Sequence, residues 1–332
     1  MSGPLVIGRL APSPTGALHV GNARSFLLAW LSVRQQRGQL ILRIEDIDSP
    51  RVKPWAVQAT LDDLRWLGLD WDVGPDRAIP GHPACIQTQR LPRYASVLEQ
   101  LIAAGRVYRC VCTRSEVAQA ASAPHEQGLQ PLEGTIYPGT CRPPRHTPQP
   151  QLPPGRPADE KFAWRWQFAP DEVRWCDQFL GNMAAYPALQ LGDFVIARGD
   201  GTPAYQLAVV VDDHDMQVSE VVRGDDLLPS TYRQLAIIDF LGWPRPNYYH
   251  VPLMVGTDGR RLAKRHGDTR LSAYREAGMA PEQIVGYLAW TLGLQPRLAP
   301  LAAAELIGRL DWTKLPRSPT VFHEDQLRST CP

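Results

Sequence analysis

The sequence predicts an α/β protein built on a doubly wound parallel sheet. A short apolar run at 5–10 leads into a loop of proline, serine and glycine, and helical apolar spacing follows from Phe26 to Leu31. A second apolar run at 40–44 ends in Glu45 and Asp46. This order of strand, helix and strand favours parallel pairing. Because such sheets bind ligands at the carboxyl ends of their strands, the first loop and Glu45 are the first candidates for a site.

Later segments continue this alternation of strands and helices. The runs 194–198 and 205–211 flank Gly199-Asp200-Gly201, and this pattern predicts a β-hairpin. The Pro-rich, polar stretch 142–157 predicts an exposed linker. Apolar spacing further predicts a strand at 106–111 and helices at 61–67, 94–104, 229–241, 281–292 and 301–310.

The composition is that of an ordinary globular protein. Of the 332 residues 44% are hydrophobic, and 35 Lys and Arg balance 34 Asp and Glu, so any contact with RNA must come from local basic patches. The N-terminal apolar stretch meets Arg9 too soon for a signal peptide, and no apolar run approaches the roughly 18 residues of a membrane span. We expect a cytoplasmic protein without membrane contact, in which disulfides do not form.

Two stretches have the chemistry to bind phosphate. The loop 9–16 precedes His19-Val20-Gly21-Asn22 at a helix start, where free backbone N–H groups and the helix dipole favour anions. Far downstream, the basic run 260–266 contains Lys264, a mobile point charge suited to a pyrophosphate leaving group. Taken alone, His19 could be an ordinary polar residue at a helix start, and the basic run a solvated turn. Their combination favours a phosphate-binding site.

Five motifs follow one another between Arg9 and about Asp268. They are Ala11-Pro12-Ser13-Pro14-Thr15-Gly16 with the HIGH-type His19-Val20-Gly21-Asn22, Arg43-Ile44-Glu45-Asp46, Ala204-Tyr205-Gln206-Leu207-Ala208-Val209-Val210-Val211-Asp212-Asp213, Val222-Arg223-Gly224-Asp225-Asp226-Leu227-Leu228, and the KMSKS-type Arg261-Leu262-Ala263-Lys264-Arg265. In this order they resemble the class I glutamyl-tRNA synthetases and, among these, the shortened glutamyl-Q tRNA(Asp) synthetase family. The resemblance implies a Rossmann-like catalytic domain that activates glutamate with ATP, accompanied by Mg²⁺, and attaches it to RNA.

The resemblance also implies roles that the chemistry of these residues supports. Arg9 would hold a substrate carboxylate and Glu45 the α-ammonium group, by charge-assisted hydrogen bonds. Arg223 would be the bidentate partner of the second carboxylate. Outside these motifs, Tyr205 could be a cross-strand aromatic of a hairpin, and Arg223 a surface ion-pair residue. The implied glutamate pocket comprises Arg9, Ala11, Ser13, Glu45, Tyr205 and Arg223. The implied ATP site comprises Pro12, His19, Gly21 and Lys264, with His19 and Lys264 as the catalytic pair.

The KMSKS-type stretch departs from the family pattern at two positions. Arg261 stands where lysine is usual, and Ala263 stands where serine is usual. The positive charge is kept, and a hydrogen bond of the loop is lost. Lys264 is therefore the catalytic assignment in this stretch, and Arg265 receives none.

A cysteine cluster forms a third candidate site. Cys110, Cys112, Tyr137 and Cys141 can present three sulfurs and a phenolic oxygen around a tetrahedral zinc. Tyrosine is an unusual ligand, because the metal must lower a pKa that is ordinarily near 10. Three buried free cysteines beside a core tyrosine are the alternative. The spacing resembles the Cys3Tyr site of the glutamyl-Q enzymes, which implies one closed, structural Zn²⁺.

These motifs divide the chain into four expected parts. Residues 1–109 form the first half of the catalytic domain, 110–160 the zinc-binding insertion and Pro-rich linker, and 161–250 the second half with the glutamate pocket. Residues 251–332 form the KMSKS-type loop and a short helical C-terminal region. Only 65 residues follow Gly267, so we expect a monomer without the usual anticodon-reading domain.

In the glutamyl-Q family, that absence accompanies the transfer of glutamate to the cyclopentene-diol of queuosine in the anticodon of tRNA(Asp). The implied partners of this chain are therefore L-glutamate, ATP and queuosine-containing tRNA(Asp). The first alternative is a truncated glutamyl-tRNA synthetase that charges the acceptor end of tRNA(Glu). The others are a non-catalytic synthetase-like protein that binds tRNA, and a HIGH-type nucleotidyltransferase acting on a small metabolite.

Overall fold

A computed structural model describes residues 4–47, 52–121, 129–144, 161–262 and 268–329. The strands are β1 (Ile7–Leu10), β2 (Gln39–Leu42), β3 (Val107–Cys110), β4 (Ala163–Trp166), β5 (Val173–Asp177), β6 (Gly181–Ala185), β7 (Phe194–Arg198), β8 (Glu220–Gly224), β9 (Asn247–Val251), β10 (Met254–Val255) and β11 (Thr320–Val321). The helices are α1 (Val20–Gln35), α2 (Pro54–Trp66), α3 (Leu91–Ala103), α4 (Arg114–Ala121), α5 (Pro187–Gln190), α6 (Tyr205–Asp215), α7 (Leu228–Leu241), α8 (Leu271–Glu276), α9 (Pro281–Thr291) and α10 (Glu324–Arg328). Short 3₁₀ helices cover Gln87–Arg90, Asp225–Leu227 and Ala303–Leu306.

A parallel sheet with the strand order β2-β1-β8-β9 organises the fold and confirms the predicted α/β class. Its first two strands pair from Ile7 opposite Gln39, and α1 connects them. A Cβ at Gly8 would lie 2.3 Å from a methyl carbon of Val33, so glycine in β1 lets α1 pack closely on the sheet. This order brings the carboxyl ends of β1, β2 and β8 to the same edge.

Apolar side chains are buried on both faces of this sheet. One cluster includes Leu27 and Leu31 of α1 together with apolar residues of α9. The other includes Ile41 and Val221 with apolar residues of α3, α6 and α7. Beside the parallel sheet lie an antiparallel sheet of order β3-β4-β7 and the antiparallel β5-β6 pair. No helix in the described ranges is long and apolar enough to cross a bilayer.

The predicted hairpin over 194–211 is wrong in its second half. Gly201, with φ 86°, reverses the chain after β7, and Ala197 forms a bridge with Pro203. The chain then enters helix α6 at Tyr205 and does not form a second strand. All residues from Leu207 to Val211 are buried. A short apolar run fits a buried helix as well as a strand, and here tertiary packing selects the helix.

The predicted helix at 301–310 is also wrong, because only the single 3₁₀ turn Ala303–Leu306 forms there. Gly308, with φ 86°, adopts the left-handed conformation shortly afterwards. The predicted helices at 61–67, 94–104, 229–241 and 281–292 and the predicted strand at 106–111 are confirmed. Their ends differ from the predicted ends by a few residues. The exception is α2, which begins at Pro54 and not at 61. Of the predicted linker 142–157, only 142–144 lies in the described ranges, where it has no regular structure.

Candidate active site

A cavity of about 420 Å³ opens at the carboxyl edge of the parallel sheet. Its walls come from the loop after β1, the start of α1, the residue Glu45 beyond β2, and the end of β8. Lys264 lies outside the described residues. The other predicted glutamate and ATP residues all line this cavity: Arg9, Ala11, Pro12, Ser13, His19, Gly21, Glu45, Tyr205 and Arg223.

Backbone hydrogen bonds position Glu45 beside the loop after β1. The N–H of Arg43 donates to the carbonyl of Leu10 (2.9 Å), and the N–H of Glu45 donates to the carbonyl of Pro12 (3.0 Å). The Glu45 carboxylate accepts a hydrogen bond from Nη2 of Arg43 at 3.1 Å. Burial raises the pKa of Glu45, and the positive charges of Arg43 and Arg9 oppose this shift. Glu45 is thus a buried, oriented acceptor.

A buried ion-pair network around Arg43 supports the residues of the cavity wall. Nη1 of the fully buried Arg43 lies 2.6 Å from Oδ1 of Asp213, and its Nε lies 3.6 Å from Oδ2 of Asp212. Asp212 also accepts hydrogen bonds from Arg90 (2.6 Å) and Tyr94 (2.8 Å). Arg43, Asp212 and Asp213 lie in two of the five motifs, but no pattern in the sequence indicates that these three residues pair with one another.

Arg9 is buried at the end of β1 with part of its guanidinium unpaired. Its Nη1 donates to the carbonyl of Val222 at 3.3 Å, and its Nε lies 3.8 Å from Oδ1 of Asp213. That Nε has no hydrogen-bond partner among the described residues. Because Arg9 lines the cavity, its guanidinium can bind an acceptor that enters there.

Arg223 is 5% exposed, which rules out a surface ion pair. Its Nε donates to Nε2 of His250 at 3.0 Å, and its Nη2 donates to Thr231 (2.7 Å) and Gln234 (2.8 Å). Its Nη1 is buried and has no hydrogen-bond partner among the described residues, so the expected bidentate contact of Arg223 with a carboxylate is wrong and one nitrogen is left for a ligand. All three partners are neutral acceptors, so the positive charge of Arg223 remains available to an anion in the cavity.

Tyr205 is the first residue of α6 and is 36% exposed. The alternative of a cross-strand aromatic is therefore wrong, because this segment is a helix. Since Tyr205 lines the cavity and remains accessible, it forms part of the cavity wall near solvent.

His19 lies at the N-terminal boundary of α1, with its ring against Gly21. A Cβ at position 21 would lie 3.1 Å from both Cε1 and Nδ1 of His19, which explains the glycine of the HIGH-type motif. Nδ1 of His19 is buried and has no hydrogen-bond partner among the described residues. Burial, and then the positive charge of Arg261, lower the pKa of His19 to about 4. His19 is therefore neutral near pH 7 and can donate from one ring nitrogen.

Both flanks of the KMSKS-type stretch reach the start of α1, although 263–267 lie outside the described residues. On one side, Arg261 lines the cavity and forms an ion pair with Asp226 (2.7 Å). On the other side, the N–H of Val20 donates to the carbonyl of Thr269 (3.0 Å), and His19 forms a backbone bridge with Arg270. The two predicted phosphate-binding stretches are therefore neighbours in space.

The cysteine cluster forms a separate site at the end of β3. The Sγ atoms of Cys110, Cys112 and Cys141 lie within 4.8 Å of one another, and the last two are 3.5 Å apart. The phenolic oxygen of Tyr137 lies 3.4 Å from Sγ of Cys110 and 3.8 Å from Sγ of Cys112. Tetrahedral zinc with bonds of about 2.3 Å places its sulfurs about 3.8 Å apart. The donor set therefore fits one zinc ion.

Sequence reasoning missed the residues that hold Arg223 in place. These are His250, its partner Asp177, and Thr231 and Gln234 of α7. The available signal was a histidine inside the otherwise apolar and aromatic strand β9. Asp177, which lies at the end of β5, carried no signal in the sequence.

Comparison with known proteins is consistent with this geometry. The chain matches the family "tRNA synthetases class I (E and Q), catalytic domain" over residues 5–329. It is 50% identical to glutamyl-Q tRNA(Asp) synthetase from Rhodopirellula baltica, covering 95% of this chain and 96% of that protein. It is 48% identical to the protein of the same name from Symbiobacterium thermophilum, covering 95% of each.

A solved structure with the same fold is a glutamate tRNA ligase from Elizabethkingia meningosepticum in complex with its amino acid. The TM-score is 0.79 at 25% identity, over 98% of this chain and 68% of that one. Sequence similarity over nearly the full length thus agrees with a cavity assembled from the five motifs. The chain belongs to the glutamyl-Q tRNA(Asp) synthetases, a family of class I synthetase-type ligases.

Proposed function

We propose that the chain activates glutamate with ATP and transfers it to the queuosine base in the anticodon of tRNA(Asp). The observation that carries this proposal is the assembly of Arg9, Glu45 and Arg223 in one cavity, beside the start of α1. The names of the full-length relatives support the acceptor.

The charges facing the cavity favour glutamate as the amino acid. Arg9 and Arg223 bring two guanidinium groups to the cavity wall, and Glu45 brings one carboxylate. Asp213 lies 3.8 Å from Arg9, and Arg43 forms ion pairs with Glu45, Asp212 and Asp213. Glutamate carries two carboxylates and one ammonium group, so each of its charged groups would meet a cavity residue of opposite charge. Arg9 would bind the α-carboxylate, Glu45 the α-ammonium group and Arg223 the side-chain carboxylate. Ala11, Ser13 and Tyr205 would enclose the substrate.

The start of α1 is proposed as the ATP site. Pro12 and Gly21 let the phosphates approach the helix terminus, and the neutral His19 donates to them. An α-carboxylate oxygen attacks the α-phosphorus, the glutamyl-adenylate forms and pyrophosphate leaves. Lys264 would stabilise the charge that develops on the pyrophosphate, and Mg²⁺ would accompany ATP. A hydroxyl of the queuosine diol then attacks the acyl carbon, and AMP leaves.

The cysteine cluster is proposed as a closed structural zinc site. Cys110, Cys112 and Cys141 would provide three thiolates, and Tyr137 would provide the fourth ligand. The N–H of Cys141 donates to the Tyr137 oxygen at 2.8 Å, which would stabilise a phenolate. Four protein ligands leave no open position for a substrate, so the metal would stabilise the region around β3 and take no part in the chemistry.

The proposed acceptor fits general rules of RNA recognition. Single-stranded loop bases can be turned out into a pocket, whereas paired bases cannot. With a formal net charge of +1, docking must depend on a local basic surface, and charging should weaken as salt rises. We place the enzyme in the cytoplasm with its substrates ATP and tRNA, acting as a monomer.

The test compares three RNAs incubated with ATP and labelled glutamate. They are tRNA(Asp) from cells that make queuosine, the same tRNA transcribed without modification, and tRNA(Glu). Label on the first RNA alone is the expected result. Efficient charging of unmodified tRNA(Glu) would instead identify a glutamyl-tRNA synthetase that charges the acceptor end.

A further inference from the structure

A buried chain of three side chains lies behind the glutamate pocket. Arg223 on β8 stands opposite His250 on β9 in the strand register, and its Nε donates to Nε2 of His250. On the far side of the ring, Nδ1 of His250 lies 2.6 Å from Oδ2 of Asp177. Asp177 and His250 are at most 1% exposed. Neither residue lines the cavity, so neither touches a ligand there.

The chemistry of the three groups fixes the position of the imidazole proton. A carboxylate only accepts hydrogen bonds, so Nδ1 of His250 carries the proton that faces Asp177. Nε2 is then an acceptor, which is what the Nε–H of Arg223 requires. Burial lowers the pKa of His250 to about 4, against the opposing effect of Asp177, so the ring stays neutral near pH 7.

Asp177 is itself held rigidly by the backbone. Its Oδ1 accepts hydrogen bonds from the N–H groups of Phe179 (2.9 Å) and Leu180 (2.8 Å). Its Oδ2 accepts from the backbone N–H of His250 at 3.2 Å. The carboxylate can therefore fix both the tautomer and the orientation of the His250 ring.

The consequence for Arg223 is a fixed guanidinium plane. Its Nε meets His250 and its Nη2 meets Thr231 and Gln234, so Nη1 is the nitrogen left for a ligand. Without the His250 acceptor, rotation about the end of the side chain would change the direction in which Nη1 points.

We propose that Asp177 and His250 are positioning residues for glutamate recognition, which orient Arg223 toward the side-chain carboxylate of the substrate. This inference rests on the proposed role of Arg223 in binding that carboxylate. A fixed guanidinium presents a positive charge and only N–H donors, so it favours a carboxylate over the neutral amide of glutamine, in which only the oxygen can accept. The pair therefore contributes to the discrimination between glutamate and glutamine.

The test uses two substitutions that differ in which ring nitrogen they replace. His250→Gln can place its amide oxygen near the position of Nε2 and keep an acceptor for Arg223. His250→Asn reaches only the position of Nδ1, so it keeps the Asp177 contact and loses the Arg223 contact.

In glutamate-dependent ATP–pyrophosphate exchange, His250→Asn should raise the KM for glutamate about tenfold. This is the effect expected from the loss of one hydrogen bond to a charged group. Its kcat and its KM for ATP should change less than threefold, and His250→Gln should stay within threefold of the wild type.

A matched control separates positioning from general destabilisation. Trp175 packs edge-on against the His250 ring, with centroids 5.8 Å apart. Trp175→Leu should lower the melting temperature and leave the KM for glutamate unchanged. Two results would overturn the inference. One is an equal rise in the KM for glutamate in His250→Asn and His250→Gln, and the other is a rise of the same size in Trp175→Leu.

A second route keeps the inference testable if His250→Asn does not fold. In Asp177→Asn, an amide N–H facing Nδ1 moves the imidazole proton to Nε2, against the Nε–H of Arg223. The KM for glutamate should again rise, and an unchanged KM would overturn the inference. If the wild-type enzyme shows no glutamate-dependent exchange at all, the proposed function fails and this inference fails with it. Normal exchange with no effect of these variants overturns this inference alone.

Discussion

The cavity at the carboxyl edge of the parallel sheet and the cysteine cluster are built in opposite ways. The cavity takes its charged residues from segments far apart in sequence, Arg9 on β1, Glu45 beyond β2 and Arg223 on β8, and parallel pairing brings them together. The cysteine cluster takes its four groups from 110–141, within one stretch of chain. The first site therefore depends on the sheet, and the second depends on local structure.

The two sites also differ in how their charges are compensated. In the cavity, hydrogen bonds and ion pairs within the protein already occupy most polar atoms of the charged side chains. Single donors such as Nη1 of Arg223 are left for the substrate. In the cysteine cluster, the sulfurs and the phenol face one another. Thiolates placed so close together repel one another unless a cation lies between them. The cavity could thus bind a ligand that comes and goes, whereas the proposed zinc would stay in the cluster permanently.

The largest effect is expected at the phosphate end of the cavity. Lys264→Ala and His19→Ala should each slow ATP–pyrophosphate exchange by about 100-fold or more, because in the proposed mechanism each residue stabilises charge mainly in the transition state. The KM for glutamate should change little. Lys314 is an exposed lysine paired with Asp311, so Lys314→Ala is the matched control and should behave as the wild type. Wild-type exchange in Lys264→Ala would contradict the catalytic role.

The next effect concerns glutamate recognition. Arg223→Ala removes the free donor and leaves the side-chain carboxylate unpaired, so the KM for glutamate should rise roughly 10- to 100-fold. Arg245 is a half-exposed arginine paired with Asp239, and Arg245→Ala should leave the KM unchanged. Steady-state exchange at several glutamate concentrations measures both. If Arg223→Ala lowered kcat alone, Arg223 would not be the carboxylate ligand.

Substitutions in the cysteine cluster should lower the stability of the protein and leave its catalytic parameters unchanged. We expect about one zinc per chain in purified protein, and a clear loss of zinc in Cys112→Ser and Cys141→Ser. Because metal binding is coupled to local folding, both variants should melt at lower temperature while the glutamate and ATP parameters stay near those of the wild type. Cys176 is exposed and lies outside the cluster, so Cys176→Ser is the control. Zinc-free wild-type protein, or unchanged zinc in both variants, would rule out the site.

The smallest effect is expected at a buried carboxylate outside both sites. Asp63 on α2 is fully buried and forms an ion pair with Arg275 (3.1 Å), but neither of its oxygens accepts a hydrogen bond from a described residue. Burial raises its pKa to about 6. The protonated form therefore stabilises the fold at low pH, and this stabilisation is lost as the pH rises from about 4 to about 6.

Asp63→Asn removes this titration. We compare the free energy of unfolding of this variant with that of the wild type. The difference should increase in favour of the variant by roughly 1–3 kcal/mol from pH 4.5 to pH 7. Denaturant unfolding at both pH values measures this difference, with Asp62→Asn as a control for the loss of one acidic charge from the same helix. A constant difference between the two pH values would show that Asp63 is compensated in the native state.

The parallel sheet and nine residues of the cavity wall could be predicted from the sequence, because they lie in short local patterns. The loop after β1, the HIGH-type start of α1 and Arg223 each lie in a short motif that can be recognised without the fold. Helix α6 was predicted as a strand because an apolar run at 207–211 satisfies both patterns, and only packing against the sheet distinguishes them.

The supports of the cavity were not predictable in the same way. Asp177 and His250 lie 73 positions apart, and their hydrogen bond exists only because β5 packs beside β9. The pairing of Arg43 with Asp212 and Asp213 likewise joins β2 to α6. Such contacts depend on tertiary structure, so a single sequence shows the residues but not their partners.

If glutamate is attached to the modified base, the label of a charged tRNA lies in its anticodon and not at its 3′ end. Queuosine-containing tRNA(Asp) is charged with labelled glutamate, digested with nucleases under mildly acidic conditions that preserve the ester, and separated into nucleosides. We predict that the label migrates with queuosine from the anticodon and that the 3′-terminal adenosine is unlabelled. Label on the terminal adenosine would contradict the proposed function.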